Sequence, residues 1–251
     1  MSAIYTLGID VGSTASKCII LKDGKEIVAK SLVDVGTGTT GPQRAIEAVL
    51  AEAGMKKEDL DYTLATGYGR NSLTGIADKQ MSELSCHAKG ACFLFPNVHT
   101  VIDIGGQDVK VLHIENGAMV NFQMNDKCAA GTGRFYEAMA NAFEMSLPEF
   151  SKLSLQAKNT IPITAQCTVF AESEVISLVG EGKPMDEIAA GIQLAVAKRC
   201  FVMAKKAGAT NSITLTGGCA KNDGLKAAIE KVLKIKVVEL STDPQLMGAL
   251  G

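Results

Sequence analysis

The sequence predicts an α/β protein of two related domains, each built on a mixed sheet, and three observations predict it. A β-branched and apolar run that ends in an aspartate and a glycine turn, Tyr5-Thr-Leu-Gly-Ile-Asp-Val-Gly-Ser-Thr14, recurs as Val101-Ile-Asp-Ile-Gly-Gly-Gln-Asp108. Each copy is followed by a second apolar run, Cys18–Leu21 or Val109–Ile114, that closes on Asp23-Gly24 or on Glu115-Asn-Gly117. Strand and helix patterns then alternate behind both copies, as they do in layered α/β folds.

The elements follow in order. Asp-Gly and Asn-Gly favour the backbone of tight hairpins, so each repeat opens as a β-hairpin. Behind the first, a helix is predicted over Gln43–Ala53, with Pro42 suited to its first turn and Gly54 to its end. A strand over Tyr62–Thr66 and a helix over Ser82–Phe95 come next, the helix stopped by Pro96. The second repeat starts there, so residues 1–98 are assigned to the first domain and 99–251 to the second. In the latter, helical patterns occupy Gly131–Glu144, Val169–Val179, Asp186–Ala207 and Asn222–Leu233, with strands near Ile213–Leu215 and Val237–Leu240.

A chain of 251 residues, 47% of them hydrophobic, can bury a substantial core and is not a disordered chain. A net charge of −2 with no run of Lys or Arg gives no field for gripping nucleic acid, so none is expected as a partner. No basic-then-apolar leader opens the chain, and no apolar stretch approaches the roughly 20 residues of a spanning helix, so no membrane is expected and a cytoplasmic location is. Seven scattered cysteines, Cys18, Cys86, Cys92, Cys128, Cys167, Cys200 and Cys219, are an odd number that suits packing better than a disulfide framework.

The glycine turns carry the chemistry. Each brings an aspartate, Asp10 or Asp103, to the edge of a buried strand, and glycine lets backbone N–H groups face a phosphate. One such turn is an ordinary hairpin signal. Two with Asp at the same place, followed by hydroxyl or amide side chains, point to a clamp on one polyphosphate. A third turn, Leu215-Thr-Gly-Gly-Cys-Ala-Lys-Asn222, again follows a β-rich run and opens a helix.

These three turns resemble the two phosphate motifs (Gly8–Lys17 and Val101–Lys110) and the adenosine motif (Leu215–Asn222) of the actin, sugar-kinase and heat-shock-chaperone ATPase superfamily. Within it the chain resembles, from end to end, the activator ATPases of 2-hydroxyacyl-CoA dehydratases, relatives of the benzoyl-CoA reductase ATPase subunits. The carrying segments are Gly8–Lys17, Thr66–Arg70, Asp78–Ala88, Asn125–Phe135 and Cys167–Ser177. The resemblance implies two actin-like domains with a nucleotide cleft between them. ATP or ADP would sit there, the phosphates against Gly12, Ser13, Thr14, Ala15, Ser16, Gly105 and Gly106. Lys17 either adds positive charge to them or is a solvated strand lysine. Asp10 and Asp103 would act through Mg²⁺ and its water, since like charges keep them off phosphate, and one of them or Gln107 would orient the attacking water. The purine is expected on Gly217 and Gly218, with Lys221 and Asn222 at the rim and Gln245 close by. Asn222 also reads as an ordinary N-cap.

Cys128 and Cys167 each precede a predicted helix start, where the helix dipole favours a thiolate. Their spacing matches no standard iron or zinc motif, and on spacing alone they read as packing or reactive thiols. The resemblance implies ligands of a [4Fe-4S] cluster, two from each subunit of a homodimer. It further implies a low-potential electron taken from ferredoxin or flavodoxin and passed, with ATP hydrolysis, to a 2-hydroxyacyl-CoA dehydratase. The alternatives are the ATPase component of a benzoyl-CoA reductase or another iron–sulfur reductase, a cluster-free sugar or acyl kinase, and a regulatory ATPase. Family chains continue as a helix past the point where this one reads Gly248-Ala-Leu-Gly251. Cys86 and His87 lie in a matching segment with no role attached.

Overall fold

The computed structural model describes residues 2–164, 167–209 and 211–251. The chain divides into two compact units, one of Met1–Asn97 with Leu240–Gly251 and one of Val98–Glu239. The first opens with strands β1 (Tyr5–Val11), β2 (Ser16–Lys22) and β3 (Glu26–Val33) and helix α1 (Gly41–Ala53). It continues with β4 (Tyr62–Thr66), β5 (Lys79–Gln80) and α2 (Glu83–Leu94). The sheet runs β3-β2-β1-β4-β5, with β1 antiparallel to β2 and parallel to β4. Asp23 and Gly24 take the positive φ that the β2–β3 turn requires. Strand alternation sorts β1 cleanly: Leu7, Ile9 and Val11 pack with Ala45 and Val49 of α1, while Gly8 and Asp10 take the opposite face.

The second unit repeats the plan with additions. It contains β6 (Thr100–Ile104), β7 (Val109–Glu115), β8 (Ala118–Asn125), α3 (Gly133–Ala142) and α4 (Leu147–Ser154). After these come α5 (Thr168–Gly180), α6 (Met185–Ala207), β9 (Ile213–Thr216), α7 (Asp223–Leu233) and β10 (Val237–Val238). The sheet order is β10-β9-β6-β7-β8, so β6 is central here as β1 is in the first unit. Its α6-side core joins Ile102, Ile104, Val109 and Val111 to Ile188, Ile192 and Val196. The short α4 escaped the sequence reading although its start is written plainly: Ser146 and Glu149 form a reciprocal capping box.

The last residues depart from the expected 99–251 domain by returning to the first unit as α8 (Met247–Leu250). Their apolar side chains Leu246, Met247, Ala249 and Leu250 cluster with Ile19. Backbone fits against backbone at this junction, because a Cβ at Gly8 would overlap the Ala249 carbonyl oxygen and one at Gly90 would overlap that of Met247. Such overlap cannot be relieved by a side-chain rotation. Gly8→Ala is therefore expected to cost roughly 3 kcal/mol, read as a lowered thermal midpoint. Gly180→Ala, where a Cβ meets nothing within 4 Å, should leave the midpoint unchanged or raised.

Candidate functional site

Pairing register builds the same polar constellation in each unit. In the first, Asp10 stands opposite Lys17 across β1–β2 and beside Thr66 across β1–β4. In the second, Asp103 stands opposite Lys110 and beside Thr216. Lys17 Nζ lies 3.2 Å from Asp10 Oδ2, and Lys110 Nζ lies 3.2 Å from Asp103 Oδ2. Both carboxylates are buried, and a buried charge is tolerated only with such a partner. Lys17, only 13% exposed, is thus held against Asp10 and is not a solvated strand lysine. Lys110, which also reaches Asp108 Oδ1 at 2.7 Å, is its twin. The signal for this pair was available, since a lysine follows each aspartate at the same spacing.

The glycine after each threonine is a matched pair too. Gly67 and Gly217 have φ of 89° and 81°, and a Cβ would overlap the carbonyl oxygen of Val11 or Ile104, respectively. Thr66-Gly-Tyr-Gly-Arg70 is therefore the first unit's counterpart of the Thr216–Asn222 turn, a relation that sequence reading missed.

The turn amides differ from expectation. Gly12 N–H donates to Ala15 O at 2.9 Å and Gly105 N–H to Asp108 O at 3.0 Å, so both close their own turns instead of facing outward. Ala15 and Ser16 are buried, and the Ser16 hydroxyl donates to Val35 O at 2.8 Å. Ser13 and Thr14 in one turn, and Gly106 and the exposed Gln107 in the other, form the accessible tips.

Around the third turn Gly217 is buried, while Gly218 and Lys221 are exposed. Asn222 caps α7, its Oδ1 accepting from Leu225 N–H at 3.0 Å and from Gln193 Nε2 at 3.0 Å. Gln193 in turn accepts from the buried Tyr136 hydroxyl at 2.8 Å, so α3, α6 and α7 are tied through one amide. Gln245 lies in the first unit, where its N–H donates to Asp243 Oδ1 at 2.9 Å.

The thiols sort by environment. Burial pushes Cys18, Cys200 and Cys219 up to about 12, helped at Cys219 by the charge of Asp103, and it also raises Cys86 and Cys92. Cys167 is exposed at the N-cap of α5, as expected. Cys128 is half-buried in the loop before α3 rather than at its start. The reason is a separate turn, in which Gly131 is left-handed, Thr132 donates to Ala129 O, and Arg199 Nη1 holds Ala130 O at 2.7 Å. That loop leads to the Gly105–Asp108 turn: Gly133 N–H donates to Gly105 O at 2.8 Å and Arg134 N–H to Gly106 O at 3.0 Å. Among the described residues, no group of three or more His, Cys, Asp or Glu could hold a metal ion, and no helix is long and apolar enough to cross a membrane.

Two five-stranded mixed sheets, each with an Asp–Lys pair that joins its central strand to the neighbouring one, define the class as the actin and sugar-kinase fold. A ROK family glucokinase from Streptomyces griseus shares it at a TM-score of 0.57 and 13% identity, covering 98% of this chain and 97% of that one. The chain belongs to the BadF/BadG/BcrA/BcrD ATPase family, which it matches over residues 7–251. It is 62% identical to the (R)-2-hydroxyglutaryl-CoA dehydratase activating ATPase of Acidaminococcus fermentans, over 99% of this chain and 95% of that one. The activator of 2-hydroxyisocaproyl-CoA dehydratase from Clostridium difficile, solved with bound ADPNP, superposes with a TM-score of 0.93 at 47% identity, covering 98% and 92% of the two chains.

Proposed function

We propose that this protein is the ATP-dependent reductive activator of a 2-hydroxyacyl-CoA dehydratase. It hydrolyses Mg-ATP and passes an electron from ferredoxin or flavodoxin through a [4Fe-4S] cluster bridging a homodimer. The observation that carries this reading is the pair of hydrogen bonds from Gly133 and Arg134 to the Gly105 and Gly106 carbonyls, which join a phosphate turn to the helix behind the Cys128 loop. Family membership and the names of the relatives support the reaction.

Each subunit gives Cys128 and Cys167 to the cluster, which four thiolates hold and which supplies one-electron transfer when bound. Exposure supports the donor set, since Cys167 is exposed and Cys128 half-buried, whereas burial raises the pKa of the five other thiols. The second copy docks beside Cys167, where α5 exposes Val169, Phe170 and Ile176. In this reading Ser13, Thr14, Gly106 and Gln107 are assigned to phosphate, Gly217 and Gly218 to adenosine, and Asp10 and Asp103 to Mg²⁺ through water.

An anaerobic preparation is expected to be brown, with broad visible absorbance lost in air and about four iron atoms per two chains. A colourless protein that phosphorylates a sugar would overturn the reading in favour of a kinase.

A further inference from the structure

His87 lies on α2, 7% exposed, with Nε2 4.0 Å from Asp10 Oδ2, the oxygen that Lys17 Nζ holds at 3.2 Å. Gly248 of α8 backs both groups, since a Cβ there would stand 2.7 Å from Oδ2 and 2.9 Å from Nε2. Gly67 walls the other carboxylate oxygen, which a Cβ would overlap. Asp10 is thus confined by a lysine, an imidazole and two glycines drawn from β2, α2, α8 and the turn after β4, all of one unit.

The second unit holds its aspartate differently. There the Thr216 hydroxyl donates to Asp103 Oδ1 at 2.7 Å while Lys110 donates to Oδ2 at 3.2 Å. The register twin of Thr216 is Thr66, yet its hydroxyl donates to Met81 O at 3.1 Å. The repeat therefore departs from itself chemically at Asp10: the Thr66 hydroxyl is directed elsewhere, and His87 approaches Oδ2, the oxygen that the lysine holds, rather than the one that Thr216 bonds in the twin.

We propose that His87 is a positioning residue for ATP hydrolysis. It holds the Asp10 carboxylate in the orientation that directs a Mg²⁺-bound water, with Gly248 keeping the imidazole and carboxylate in contact. This rests on the ATPase reading above. A carboxylate that orients water acts in the transition state and not in nucleotide binding, so its loss lowers kcat and leaves KM in place.

The test compares His87→Leu, which fills the volume without a nitrogen, with His87→Gln, which keeps a polar terminus. Steady-state ATP hydrolysis and thermal midpoints are measured for both beside the unmodified protein. The expected result is a kcat about 10- to 100-fold lower in His87→Leu with KM for ATP within about threefold, and recovery of at least part of that loss in His87→Gln. An unchanged kcat in His87→Leu overturns the proposal. So does an equal loss in both variants with KM raised or the midpoint lowered, which marks a packing role. If the unmodified protein does not hydrolyse ATP, it is the ATPase reading that fails.

Discussion

Replacing Cys167 with serine is expected to give a colourless protein that still binds ATP, its iron content falling by more than about tenfold. The thiol is exposed at the N-cap of α5, outside the cores that stabilise either unit, so its loss removes a ligand without opening a cavity. Cys128→Ser should behave alike. Cys200→Ala is the control, because that thiol is fully buried on α6 and pushed up to about 12, beyond service as a thiolate at neutral pH. Iron per chain, visible absorbance and ATP binding are measured on anaerobic preparations. Full iron in Cys167→Ser would remove Cys167 from the ligand set and with it the cluster shared between two copies.

The parts of this molecule that sequence made legible are those set by near neighbours. β-branched runs and the Asp23-Gly24 and Asn116-Gly117 turns place both hairpins, and the register they impose brings Lys17 to Asp10 and Lys110 to Asp103. What escaped depends on distant partners. That α8 returns to the first unit is decided by Gly8 and Gly90 meeting carbonyls of Met247–Ala249, a fit of two backbones that no local pattern carries.

Cys128 failed as a helix start for a different reason. A glycine with threonine beside it reads equally as a cap or as a free turn, and here Gly131 and Thr132 make the turn first. Gly12 and Gly105 look like phosphate amides in sequence, yet each donates three residues on to close its own loop. Glycine content shows that a backbone can approach a ligand, not which N–H remains directed at it. His87 carries no sequence signal of a role, since its significance lies in reaching Asp10 from another element.

Mg-ATP is expected to speed extraction of iron by a chelator severalfold over ADP or no nucleotide, and Gly133→Pro is expected to weaken that acceleration. A nucleotide shifts an equilibrium between two dimer shapes only by its differential affinity for them, so some contact must transmit its presence to the thiol loops. Within the second unit the Gly133 N–H to Gly105 O bond is such a contact. Proline removes that N–H and is well tolerated at the first position of a helix. Thr132, at φ −96° and ψ 177°, already has the extended backbone that a following proline demands. The helix should therefore persist while one of its two hydrogen bonds to the Gly105–Gly106 turn is cut, the Arg134 bond remaining. Iron content and basal chelation should match the unmodified protein, with ATP binding measured separately to show that the site is filled. Asp103→Asn should blunt the ATP effect in the same way through loss of the Mg²⁺ carboxylate. If iron leaves the unmodified protein equally fast with and without Mg-ATP, nucleotide does not gate the cluster. If only Gly133→Pro keeps the full acceleration, the gating signal travels by a route other than the start of α3.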